Sequence, residues 1–175
     1  TGKVRAYVGS SDYLSKFRKG GINYLRAVRS PGSTLKPFIY AKALQKNIIS
    51  PNEVFEDMAI QTAGYSPTNF DQSFSGEVTL KEALLRSLNI PAITTLEKLN
   101  VKSFENDLRS YLGQNFAHSD YAGLSLAVGG FYMTAEDLMS LYLEFADPGS
   151  VSGLRFFENS HLENASFLFQ EKSAR

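Results

Sequence analysis

The sequence of this 175-residue chain predicts an α+β fold, mostly helical, on three observations. Residues 35–44 are apolar on nearly every side (Leu35, Phe38, Ile39, Tyr40, Ala41, Ala43, Leu44), the mark of a helix buried all round. Thr79 with Glu82, and Thr134 with Asp137, each set a capping hydroxyl three residues before an acid at the start of an amphipathic run. Residues 3–9, KVRAYVG, alternate polar and apolar with Val4, Ala6 and Val8 on one side, the period of a half-buried strand.

Taken in order, the strand at 3–9 is followed by a loop, SSDYLSKFRKGG, and by a second extended stretch around 23–28. The two extended stretches are expected to pair as a hairpin, with little further sheet. The buried helix comes next. Pro37 lacks an N–H and clashes with a preceding turn, so this helix must begin close to Ser33, which places Ser33 at a helix N-terminus. Residues 46–76 carry Pro51, Gly64, Pro67 and Gly76 among polar residues and read as a long irregular segment, the kind usually tied to function. The Thr79 helix carries Leu80, Ala83, Leu84 and Ser87 and should stop near Asn89–Pro91, with another helix from about Pro91. Phe104, Leu108 and Leu112 repeat at helical spacing and end at Gly113, a natural C-terminal cap. The Thr134 helix carries Leu138, Leu141, Tyr142 and Phe145; beyond it the signals are a turn at 147–149 and a short helix from Glu163.

Composition narrows the function classes. With 43% apolar and 13% aromatic residues the chain can bury a core without staples. Lys plus Arg balances Asp plus Glu at 18 each, so no net field draws it to nucleic acid or an anionic membrane. The absence of cysteine excludes disulfides, a thiolate zinc site and a cysteine nucleophile. No apolar stretch approaches the roughly 18 residues of a membrane span, and no signal-peptide pattern opens the chain. A start at Thr1, inside a strand pattern, suggests a segment of a longer protein.

The run SPGSTLKPF (30–38) carries the sharpest chemistry. A serine hydroxyl is a poor nucleophile until a base takes its proton. Residues three apart share a helix face, so Lys36 can reach Ser33. Lysine acts as a base only when neutral, and the apolar helix supplies the burial that lowers its pKa from about 10.4. The helix N-terminus adds positive potential where an oxyanion would form, with the Ser33 N–H as a candidate donor. A bare S-x-x-K is a frequent accident; the flanking prolines and the wholly apolar helix behind it set this one apart. A second constellation is Ser87-Leu88-Asn89. Its hydroxyl can exchange a proton with Lys36, and its amide can hold both the lysine and a substrate amide. An isolated S-x-N otherwise merely ends a helix.

Together the two constellations resemble the penicillin-recognising serine enzymes, whose motifs are S-x-x-K, S-x-N and K-T-G. The blocks RSPGSTLKPFIYAKAL (29–44), GYSPTNFDQSFSGEVTLKEALLRSLNIPA (64–92) and GLSLAVGG (123–130) look like the transpeptidase domain of class A penicillin-binding proteins of the 1C type, over most of residues 1–146. The resemblance implies the helical subdomain of the penicillin-binding/serine β-lactamase-like fold, with a small part of its antiparallel sheet. It implies Ser33 as nucleophile, Lys36 as base, Ser87 as proton relay and Asn89 as the group that orients Lys36 and binds the donor peptide. The partners implied are peptidoglycan stem peptides and β-lactams, with no cofactor, metal or nucleic acid. The location implied is the periplasmic face of the bacterial inner membrane, held there by an upstream anchor that this chain does not include.

No K-T-G, nor K-S-G, follows Asn89, so residues 1–175 are expected to be a partial transpeptidase domain that stops before that strand and is inactive alone. The alternatives are a non-catalytic binding or scaffold module, or a D,D-carboxypeptidase, β-lactamase or β-lactam sensor on the same fold. Other candidates are weaker. His118 and His161, with Asp120 or Glu163, have no triad character, and two scattered histidines make no metal site. Asn164-Ala165-Ser166 matches a glycosylation triplet that is common by chance, and Gly129-Gly130 reads as a tight turn. Tyr65, Asn69, Phe70 and Asp71 lie in a loop that can border a groove or anchor itself to the core.

Overall fold

Pro37 fixes where the central helix starts. In the computed structural model, which describes residues 2–61, 66–113, 121–146, 153–157 and 168–169, a 3-10 helix at Gly32–Leu35 runs directly into α1, Lys36–Gln45, with Pro37 in its first turn, where a missing N–H costs nothing. Helix α1 buries Lys36, Phe38, Ile39, Tyr40 and Ala43, which matches its all-round apolar pattern.

The chain divides into two compact units. One comprises Gly32–Asp107 and Asp120–Phe131. Within it, β1 (Val54–Asp57) pairs antiparallel with β2 (Gly76–Thr79), Phe55 opposite Val78 and Asp57 opposite Gly76. Side chains alternate along β1, with Phe55 and Asp57 inward. Helices α2 (Leu80–Leu85), α3 (Asn89–Leu99) and the first half of α4 (Val101–Leu112) follow, then a second 3-10 helix at Gly123–Val128. Helix α3 lies against α1 on one side and the second 3-10 helix on another. Leu35, Phe38, Ile39, Ile90, Ile93, Leu96, Phe104 and Leu126 are fully buried in this unit. Lys42 of α1 pairs with Asp107 of α4 at 3.3 Å.

The other unit draws on Thr1–Pro31, Leu108–Ser119 and Tyr132–Arg175. Its elements are the end of α4 and α5 (Ala135–Ala146). Isolated bridges join Lys3 to Arg155 and Arg29 to Met133. The buried Glu144 carboxylate accepts the N–H groups of Leu168 and Phe169 at 2.9–3.0 Å, and the Tyr111 hydroxyl donates to the Ser140 carbonyl at 3.0 Å.

Two expectations about the sheet fail. The stretches 3–9 and 23–28 share one backbone hydrogen bond, Tyr24 N–H to the Gly9 carbonyl at 2.8 Å, and form no ladder; Val8 is 73% exposed. Alternation reports which face a strand can bury, not whether a partner runs beside it. Conversely, β1 and β2 lie at 54–57 and 76–79, within and at the end of the segment read as irregular, because four-residue strands are too short to show a period. The helix ends are as expected at Thr79, at Thr134 and at Gly113, whose φ is 76°. At Thr79 the Glu82 N–H donates to Oγ1 at 3.3 Å, while the Thr79 N–H donates to Glu82 Oε2 at 2.9 Å. Thr79→Ala is expected to lower unfolding free energy by about 1 kcal/mol, measured by denaturant titration. The boundary between α2 and α3 differs from expectation: Asn89 opens α3 instead of closing the helix before it, and Pro91 sits in the first turn of α3.

Candidate active site

Lys36 is the first residue of α1 and only 1% exposed, so its ammonium must find protein acceptors. It finds three: the Ser87 carbonyl at 2.5 Å, Asn89 Oδ1 at 2.7 Å and Ser87 Oγ at 3.2 Å. Three acceptors match the three protons of an ammonium. Burial lowers the Lys36 pKa from 10.5 to about 8. At pH 7 roughly a tenth of a group with that pKa is free amine, against about one part in 3,000 at the ordinary value.

Ser33 lies one turn earlier, exposed, in the 3-10 helix that opens α1. Among the described residues its hydroxyl carries no hydrogen bond to Lys36. The groups brought into contact are therefore Lys36, Ser87 and Asn89, with Ser33 beside them on the same helix start. First-turn N–H groups of a helix lack partners within it, so the Ser33 N–H is a candidate donor beside its hydroxyl.

How α2 stops decides where Ser87 points. The Ser87 N–H donates to the Leu84 carbonyl at 3.1 Å and the Leu88 N–H to the Ala83 carbonyl at 2.9 Å, the paired bonds of a Schellman closure. That closure needs a left-handed residue, and Ser87 takes the position at φ 53°. The reversal leaves both its carbonyl and its hydroxyl within reach of Lys36.

Asn89 is oriented from the segment before β2. Its Nδ2 donates to the Thr68 carbonyl at 2.8 Å, and its backbone N–H donates to Asn69 Oδ1 at 2.7 Å. Because a carbonyl only accepts, the Thr68 bond assigns the Asn89 amide with Oδ1 toward Lys36. Asn69 is 4% exposed, and its Nδ2 donates to both Asp57 oxygens at 2.8 and 2.9 Å and to the Ser73 carbonyl at 2.9 Å. Asp57 is fully buried and also accepts the Ser75 N–H at 2.9 Å.

Sequence reasoning gave Asn69 only as a loop residue and missed Asp57 and Thr68. Phe70, the aromatic next to Asn69, is fully exposed and anchors nothing. Asp57 alternates with Phe55 on β1, and an acid at an inward strand position is the one sequence signal that could have found it, once the strand was known. Gly129 (φ 104°) and Gly130 close the second 3-10 helix in a tight turn, with the Gly130 N–H on the Ser125 carbonyl at 2.8 Å. His118, His161, Asp120, Glu163, Asn164, Tyr65 and the expected turn at 147–149 lie outside the described residues. Among the described residues no group of three potential metal ligands occurs, and no helix is long and apolar enough to cross a membrane.

The family model of the penicillin binding protein transpeptidase domain matches residues 1–157. The chain is 39% identical over 154 residues to penicillin-binding protein 1C of Escherichia coli (strain K12), covering 87% of this chain and 20% of that protein. It is 39% identical over 131 residues to penicillin-binding protein 1F of Bacillus subtilis (strain 168), covering 74% of this chain and 17% of the relative. The crystal structure of penicillin-binding protein 1A from Haemophilus influenzae superposes with a TM-score of 0.61 at 26% identity, over 74% of this chain and 20% of that one. The chain thus spans about a fifth of the length of the curated relatives it matches.

Proposed function

Since the chain belongs to the penicillin-binding protein transpeptidase family, we propose that it carries the acylating half of a D,D-transpeptidase site, with Ser33 as nucleophile and Lys36 as its base. The observation that carries this reading is a lysine amine withdrawn from water one turn after an exposed serine, its pKa lowered to about 8. Ser33 Oγ attacks the carbonyl carbon of the penultimate D-alanine of a peptidoglycan stem peptide while the Lys36 amine takes its proton. The tetrahedral oxyanion is met by N–H donors at the helix start, the Ser33 N–H among them. When the C–N bond breaks, the departing D-alanine amine takes a proton through Ser87, leaving an ester on Ser33. An amine from a neighbouring strand then attacks that ester, forms the cross-link and gives up one of its own protons to Ser33 Oγ as the ester bond breaks. A β-lactam opens on the same serine, but its leaving nitrogen stays tethered, so the ester persists. Asn89 holds Lys36 and the amide of the donor peptide. The reading locates the site on the periplasmic face of the bacterial inner membrane, in a longer protein anchored upstream.

The substrate groove also needs the K-T-G strand, which does not occur in the 175 residues, so this chain alone is expected to show little stable acylation. The test uses a chain that continues through K-T-G. Fluorescent penicillin should label it once per molecule, with the penicilloyl group mapping by mass spectrometry to the peptide containing Ser33. Below pH 8 the labelling rate should rise roughly tenfold per unit as Lys36 loses its proton, and level off above. Label on another residue, or none, would overturn the proposal and leave the reading of a non-catalytic binding module.

A further inference from the structure

The network behind Lys36 ends in two side chains for which the chemistry above has no use. Asn69 and Asp57 are both buried, lie 12 residues apart in the chain, and hydrogen-bond to neither Ser33 nor Lys36. A buried carboxylate is costly unless it is fully hydrogen-bonded, and Asp57 spends its bonds on the Asn69 amide and the Ser75 N–H. Since a carboxylate only accepts, Asp57 forces the NH2 of Asn69 toward itself. The Asn69 oxygen then has one direction left, toward the Asn89 N–H at 2.7 Å. That N–H is the first of α3, and the preceding residue, Leu88, supplies no side-chain cap. The cap comes instead from 20 residues upstream. The neighbouring Thr68 carbonyl holds the side chain of the same asparagine.

We propose that Asn69, held in one orientation by Asp57, is a positioning residue of the acylation site: it fixes Asn89 at the start of α3 and, through Asn89, the amine of Lys36. The chain of contacts runs from Asp57 to Asn69 to Asn89 to Lys36, each link between 2.7 and 2.9 Å. It grips Asn89 at two atoms from two consecutive residues, the Thr68 carbonyl and the Asn69 side chain, so the main chain and the side chain of Asn89 cannot turn independently. The proposal rests on the reading of Lys36 as the base, but its test does not.

The test follows the Lys36 amine itself, by NMR titration of its Nζ and Cε signals in the 175-residue chain. Asn89→Ala removes one acceptor of the ammonium and should move the midpoint to lower pH. Asn69→Ala is expected to move it in the same direction, by at least about 0.5 unit, and to add nothing when Asn89 is already alanine. A loss of packing alone would lower stability without moving the midpoint in this non-additive way. Should the bare Asp57 left by Asn69→Ala unfold the chain, the Asp57→Asn/Asn69→Ala pair, which strands no carboxylate, is compared with the unsubstituted chain, with and without Asn89→Ala. An unmoved midpoint, a move to higher pH, or a shift that persists without Asn89 would overturn the proposal. Failure of penicillin labelling at Ser33 with this coupling intact would instead overturn the function and leave the positioning network standing.

Discussion

Ser33→Ala, in a chain that includes K-T-G, is expected to give no penicilloyl adduct at all, and Lys36→Met to slow its formation by about three orders of magnitude. The two losses differ in kind. Without Ser33 there is no atom to esterify, so no incubation time or pH restores label. Without Lys36 the hydroxyl remains on an intact helix start, and residual acylation relies on helix-end donors and solvent as base. Methionine is the informative replacement because Lys36 is 1% exposed and an unbranched apolar chain fills the same space. It strands the Asn89 oxygen and the Ser87 carbonyl, but it also removes a cation from a buried site, so stability should change far less than rate. The measurement is labelling rate against pH. The rise below pH 8 should vanish with Lys36→Met, whereas a retained limb would assign the base elsewhere.

The largest effect on stability is expected at Phe38. It is fully buried in α1 two residues after Lys36, in the unit where α1 lies against α3. Truncation to alanine removes a ring from close-packed surroundings that relax only in part, at a cost of about 3–5 kcal/mol. Domains hold a net of only about 5–15 kcal/mol, so Phe38→Ala should bring this unit close to unfolding. Phe38→Leu keeps most of the volume and should lose much less. Denaturant midpoints of the two variants check the ranking; equal midpoints would mean that the α1 face closes up around the missing ring.

What could be read from the sequence was local. A helix apolar all round at 35–44, the threonine caps and Gly113 each depend on residues within a few positions, and each lies where it was expected. Ser33 and Lys36 stood out for the same reason, being three residues apart. The position of the sheet was missed because pairing Val54 with Thr79 joins residues 25 apart, in strands each too short to signal itself. The support behind the site was missed on similar grounds. Asp57, Asn69 and Asn89 are joined by hydrogen bonds, which leave no periodic trace, and Asn69 stood among aromatic and polar loop residues that looked interchangeable with it.

The left-handed backbone at Ser87 bears on which residues this position can exchange over time. By hydroxyl chemistry alone threonine would serve as well, donating and accepting in the same way. Its branched Cβ makes a φ of 53° expensive, so a single-step change to threonine disturbs the end of α2 before it touches a proton. Glycine and asparagine fit that backbone and lack the hydroxyl. With the relay proposed for its hydroxyl, serine is the residue that meets both demands, and drift at position 87 is closed off from two independent directions.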